Sequence, residues 1–128
     1  MTGEEEPGSR DELLPRADRL RKSGDYRRCY REGRRCSGRF LRLFVHPNEE
    51  GHPRVGVTAS RKVGGSVVRH RVKRRLREIY RRWPRRHELP PLDIVIHVHP
   101  TAALTPFSHL EEDLVRLLSE LVKGGRRR

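Results

Sequence analysis

The stretch RVGVTASRKVGGSVVRHRVKRRLREIYRRW, Arg54 to Trp83, holds a strand, a glycine turn and a helix in direct succession. Its opening alternates Val55, Val57 and Ala59 with Arg54, Gly56 and Thr58, the two-residue period of a strand with one apolar face. At Ser66 the period changes. Val68, Val72, Leu76, Ile79, Tyr80 and Trp83 form a one-sided stripe at helical spacing, and Pro84 ends the helix. In the connecting turn, Arg61 to Gly65, two glycines let the backbone pass close to a ligand, and the helix start offers unpaired N–H groups. The turn lacks the spacing of a nucleotide-binding P-loop.

The same stretch carries the charge. Arg61 to Arg86 holds 12 Lys or Arg and one acid, Glu78, a net of +11 out of +13 for the whole chain. The other 102 residues are nearly balanced, with 18 basic and 16 acidic side chains. At about 100° per residue, Arg69, Arg71, Lys73, Arg74, Arg75, Arg77, Arg81 and Arg82 cover almost the whole arc of the helix that turns away from the core. A solvated charge face would interleave acids for pairs one turn apart, and only Glu78 is available here. Crowded guanidiniums repel one another, and phosphate oxygens relieve the repulsion through bidentate contacts. The pattern points to nucleic acid.

Outward from this stretch, the apolar runs are short. Ser23 to Glu32 reads as a helix with Ser23 as its N-cap and Gly33 as its stop; Tyr26, Cys29 and Tyr30 share one face. Phe40 to His46 reads as a strand ended by Pro47-Asn48, and it is expected to pair as a hairpin with Arg54–Ser60. A short edge strand fits Arg34–Ser37. Leu92 to His99 reads as a further strand between Pro90-Pro91 and Pro100. Thr105 is the expected N-cap of a last helix, with Pro106 in its first position. Phe107, Leu110, Leu114, Leu117, Leu118 and Leu121 supply its core face, and Glu111, Glu112 and Asp113 suit its first turns. The result is one α+β domain over residues 16–122 with helices against a sheet. An acidic, disordered leader over 1–15 and a basic tail over 123–128 flank it.

Composition narrows the classes. A chain of 128 residues, 33% hydrophobic and 37% charged, supports one domain with a modest core. No apolar run approaches the roughly 20 residues of a membrane span, and the acidic amino terminus does not read as a secretory signal. Cys29 and Cys36 read as reduced thiols, and the expected location is the cytoplasm. Nucleophile-and-base motifs of self-contained enzymes are missing. His97 and His99 fall on one strand face, but no cluster supplies a third metal ligand, so no protein metal site is expected.

The run Arg61-Lys62-Val63-Gly64-Gly65-Ser66-Val67-Val68-Arg69-His70-Arg71-Val72-Lys73-Arg74-Arg75-Leu76-Arg77-Glu78 resembles the signature of the protein subunit of bacterial ribonuclease P. That signature reads Lys, a Gly turn, a small residue, Val, then Arg-Asn-Arg, an apolar residue and Lys-Arg. Asp25-Tyr26, Tyr30 and Gly33 resemble the family's first helix, Phe40–Val45 and Arg54–Ser60 its hairpin, and Asp93–Ile96 with Pro100 its last strand. The resemblance runs from about Arg16 to Val122. It implies the order α-β-β-β-α-β-α with a left-handed βαβ crossover, an exception to the usual hand. It also implies a subunit that joins a catalytic RNA, which cleaves the 5′ leader from precursor tRNA with Mg²⁺ bound mainly through the RNA. By motif match, Arg61, Lys62, Arg69, His70, Arg71, Lys73, Arg74 and Arg77 would contact the catalytic RNA. Tyr26, Tyr30 and Phe44 would line a leader cleft, where stacking tolerates any base. No membrane and no obligate protein partner are implied. This sequence departs from the pattern at His70, where Asn is usual, and at His97 and His99, where Arg or Lys is common. A ribosomal RNA-binding protein is the alternative reading. A DNA-binding module fits less well, because the helix lacks the Asn or Gln that reads adenine.

Overall fold

The computed structural model describes residues 14–126. Among these residues three α-helices and four strands follow in the order α1 (Ser23–Glu32), β1 (Arg34–Ser37), β2 (Leu41–Pro47), β3 (Arg54–Ala59), α2 (Ser66–Arg82), β4 (Leu92–Val98) and α3 (Phe107–Arg126). The short edge strand expected at Arg34–Ser37 is present as β1. The sheet order is β1-β2-β4-β3, with β1, β2 and β4 antiparallel in turn and β3 parallel to β4.

This order overturns the expected hairpin. β2 and β3 do not pair, because β4 lies between them: Leu43 and Val57 both stand opposite Ile96. The reason is burial. Ile94, Val95, Ile96 and Val98 are all 0% exposed, so β4 needs cover on both faces and both edges. Such near-continuous apolar runs belong at the centre of a sheet, and the flanking strands follow from that.

Pairing fixes two faces. Leu41, Leu43, Val45, Val55, Val57, Ile94, Ile96 and Val98 turn to one side and form the main core with Val72, Leu76, Ile79 and Tyr80 of α2 and Leu110, Leu114, Leu117, Leu118 and Leu121 of α3. Phe44, Val95 and Gly56 turn to the other side, where Leu20, Tyr26 and Cys29 cover them. The sheet is thus sandwiched, with α2 and α3 on one face and α1 on the other. Cys29 joins the α1-side cluster and Cys36 packs on the main core, so the sheet separates the two free thiols.

Several ends differ from expectation. Lys22, not Ser23, is the N-cap of α1, and no side chain caps it. Pro106 accepts the first helical bond of α3 from Leu110, while Thr105 turns back to donate to the Thr101 carbonyl. Leu14, two residues before the expected boundary, is buried in the main core. α3 runs to Arg126, past the boundary expected at Val122. The rest of the acidic leader, residues 1–13, and the last two residues of the basic tail lie outside the described residues.

Two carboxylates hold the frame. Asp93, 2% exposed, accepts a bidentate pair from Arg54 at 2.8 Å and 2.8 Å and a further bond from Asn48 at 2.8 Å. Arg54 also reaches Asp25 of α1 at 3.5 Å, so one guanidinium ties the helix to the sheet. Asp113, expected to serve the first turns of α3, is buried instead. It accepts backbone N–H bonds from Arg39, Phe40 and Leu41 and fixes the turn between β1 and β2.

Candidate nucleic-acid interface

The basic helix begins at a turn built on glycine. Gly64 has φ +153°, and a Cβ there would press on Val68. Only glycine takes this conformation readily, so the turn redirects the chain into α2 at this point. The Ser60 hydroxyl accepts from the Lys62 N–H at 3.3 Å, and Gly65 caps α2 without a side chain. Arg61 and Lys62 are both exposed on this turn.

Along α2 the cations sort into ridges at four-residue spacing. Arg69, Lys73 and Arg77 form one ridge and are half-buried; His70 and Arg74 form the next and are exposed; Arg71 and Arg75 form a third, also exposed. Glu78 is engaged by Arg81 through two bonds, at 3.0 Å and 2.8 Å. Among the described residues, Arg69, Arg71, Lys73, Arg74 and Arg77 have no ion pair. Burial holds the Arg77 guanidinium below its usual pKa, with Arg19 adding repulsion. A buried or crowded cation without a counter-charge is stabilised by an incoming anion. Of the eight residues expected to contact catalytic RNA, six occupy adjacent ridges of α2, and Arg61 and Lys62 stand exposed on the turn that leads into it.

The expected cleft residues also converge, on the opposite face of the sheet. Tyr26 lies over Gly56: a Cβ at Gly56 would collide with the phenol oxygen. The Tyr26 hydroxyl donates to the Leu20 carbonyl at 3.2 Å. Burial pushes the Tyr26 phenol up, and Arg77 opposes that shift. Tyr30, 38% exposed, packs on Phe44 with ring centroids 4.6 Å apart.

Two further residues belong to this cleft. His97 meets both rings edge-on, at 5.9 Å from Tyr30 and 6.1 Å from Phe44. Its Nδ1 lies 3.0 Å from the Tyr30 hydroxyl and 3.2 Å from Thr58 Oγ1, and the two hydroxyls are 2.6 Å apart. Burial, then Arg42 and His99, hold the His97 pKa below the ordinary histidine value. With Nδ1 as acceptor, as in the Nε2–H tautomer of the neutral ring, one hydroxyl donates to the ring and the other donates to the first hydroxyl. Strand alternation places Thr58 and His97 on the α1 face, but their adjacency depends on β3 pairing with β4, which the expected hairpin concealed.

His97 and His99 turn their Nδ1 atoms to different partners. His97 Nδ1 faces Tyr30 and Thr58, whereas His99 Nδ1 faces Thr101 at 3.0 Å. Among the described residues, no three His, Cys, Asp or Glu side chains converge. No described helix is long and apolar enough to cross a membrane.

The chain matches the family model "Ribonuclease P" over residues 14–122. It is 36% identical to the "Ribonuclease P protein component" of Acidothermus cellulolyticus over 114 residues, covering 87% of this chain and 93% of the relative. It is 39% identical to that of Streptomyces avermitilis over 127 residues, covering 90% and 100%. Among solved structures it resembles the RNase P protein of Staphylococcus aureus, with TM-score 0.72 and 25% identity over 80% of this chain and 93% of that one. It also resembles the RNase P protein of Thermotoga maritima, with TM-score 0.71 and 27% identity over 80% and 96%. Sequence, fold and the basic strand-turn-helix agree: the chain belongs to the ribonuclease P protein component family.

Proposed function

We propose that this chain is the protein subunit of a ribonuclease P that removes the 5′ leader of precursor tRNA. The observation that carries the proposal is the uncompensated basic surface of α2 beside an aromatic cleft, on a chain of this family. Arg61, Lys62, Arg69, His70, Arg71, Lys73, Arg74 and Arg77 bind the catalytic RNA, mainly through phosphates. Tyr26, Tyr30 and Phe44, with His97 and Thr58, hold the single-stranded leader by stacking and polar contacts.

Cleavage belongs to the RNA, and this chain acts by positioning. Among the described residues, the two buried carboxylates do not fit a magnesium site. Asp93 is taken by Arg54 and Asn48, and Asp113 by three backbone amides. Mg²⁺ enters the proposal as an ion held mainly by the RNA, where it supplies the hydrolytic chemistry. The protein holds the leader in extension away from the cleavage point and neutralises phosphates that would repel one another. The unpaired thiols suit a reducing cytoplasm.

The test is reconstitution. RNA-free protein, ribonuclease P RNA and labelled precursor tRNA are combined in all pairings with Mg²⁺. The expected result is 5′ leader removal only where the RNA is present, and faster removal when the protein is added. Specific removal by protein alone, or no effect of the protein on the RNA-catalysed rate, would refute the proposal.

A further inference from the structure

The described surface leaves four large apolar side chains open: Tyr30 in the cleft, and Val67, Leu104 and Phe107 elsewhere. The last three are 76%, 91% and 41% exposed; Val67 lies in the basic helix itself, and Leu104 and Phe107 belong to elements that pack against it. Val67 begins the ridge that continues to Arg71 and Arg75. The turn Pro100–Leu104 packs against α2 and against Arg61–Val63, and α3 packs along α2. Phe107, at the start of α3, lies beneath Arg75, whose guanidinium carbon is 5.9 Å from the ring centroid. Arg75 has no acidic partner among the described residues.

We propose that Phe107, with Arg75 over its ring and Leu104 three residues before it, is a stacking platform for one unpaired base of the RNA that lies along α2. The proposal rests on the RNA-binding reading above and extends it onto the amino-terminal end of α3. Continuity supports it, since the Arg71–Arg75 ridge runs from the basic surface to the ring. An aromatic face with a guanidinium beside it suits a base of any identity, through stacking and cation–π attraction. Charge also chooses among partners. A second copy of this chain would bring two molecules of +13 together, ridge against ridge. A phosphate alone would gain nothing from Phe107 and Leu104, and exposed Glu111, one turn further along α3, would repel it.

The test measures binding of ribonuclease P RNA to the full chain at several salt concentrations, for wild type and for Phe107→Ala, Phe107→Leu and Phe107→Tyr, with Arg74→Ala alongside. Loss of the ring is expected to weaken binding about fivefold or more. The salt slope should not change, because no phosphate contact is lost. Phe107→Tyr should bind as wild type, while Phe107→Leu, which keeps the apolar bulk, should stay weak. A leucine variant that binds as wild type would make Phe107 a packing residue and overturn the proposal. So would a concentration-dependent dimer of the free protein that Leu104→Ser abolishes, because the face would then belong to a second copy. If Arg74→Ala also leaves affinity and slope unchanged, the RNA-binding reading of α2 fails; if only the Phe107 variants are silent, that reading stands and the platform alone falls.

Discussion

The basic surface of α2 and the aromatic cleft beneath α1 are built on opposite principles. In the cleft, the polar atoms satisfy one another: Tyr30, Thr58 and His97 close a triangle, and Tyr26 finds the Leu20 carbonyl. On α2, Arg69, Arg71, Lys73, Arg74 and Arg77 have no described counter-charge. One region is complete in itself, and the other, under the proposed function, is completed by RNA. The cleft should therefore bind with modest energy and weak salt dependence. The cations of the helix should bind with strong salt dependence and contribute little to folding, which α2 supports through its apolar face.

The largest effect is expected from the frame that holds the cleft. Asp93→Ala strips the buried partner from Arg54, leaves Asp25 of α1 as its remaining carboxylate and so breaks the link from α1 through Arg54 to β4. Breaking such a pair costs on the order of 3–5 kcal/mol. Denaturant unfolding should show that loss, and the surviving folded protein should lose leader discrimination before catalytic RNA binding. A loss below about 1 kcal/mol, the scale of exposed pairs, would mean the pair acts as a surface contact.

A smaller effect is expected within the cleft itself. Tyr30→Ala removes one stacking ring and should weaken precursor tRNA relative to mature tRNA in the assembled enzyme by about 1–3 kcal/mol. Equal weakening of both tRNAs, together with a lower melting temperature, would make Tyr30 a packing residue. On α2, Arg71→Ala or Arg74→Ala should flatten the plot of log K against log salt for catalytic RNA by up to about one unit. The melting temperature should barely move, because both side chains are exposed. An unchanged slope with a collapsed melting temperature would reverse the comparison and make the helix cations structural.

The smallest effect is a pH dependence of the cleft. His97 is held below the ordinary histidine value of about 6.5 by burial first and then by Arg42 and His99. The unfolded chain therefore takes up this proton first as pH falls. The stabilising contribution is full above the unfolded value and is lost as pH drops through it toward the lower folded value. His97→Gln should remove that component, so wild type and variant should diverge below about pH 6.5 and run parallel above it. Parallel profiles throughout would show that the ring does not titrate on unfolding.

The elements were legible in the sequence because each has its own period and its own stop. α2 is bounded by Gly65 and Pro84, and β4 by the prolines on either side, so local chemistry sufficed. The basic surface was legible for the same reason: one helix carries it. Strand pairing was not. The hairpin expectation used sequence proximity, whereas burial of β4 on both faces decided the order. That error hid His97 and Thr58, which meet only because β4 lies beside β3. Asp113 was read as a helix-start charge because nothing local shows that the Gly38–Leu41 turn folds over it. Gly56 gave no signal of its own, since its role is the space it leaves for Tyr26.

The central claim is that the two regions act separately, and a crossed measurement tests it most directly. In one holoenzyme preparation, the salt slope for catalytic RNA binding and the affinity ratio of precursor to mature tRNA are measured for wild type, Arg74→Ala and Tyr30→Ala. The account predicts that Arg74→Ala lowers the slope by up to about one unit and leaves the ratio unchanged. It predicts that Tyr30→Ala lowers the ratio and leaves the slope unchanged. A variant at either position that moves both quantities together would contradict it.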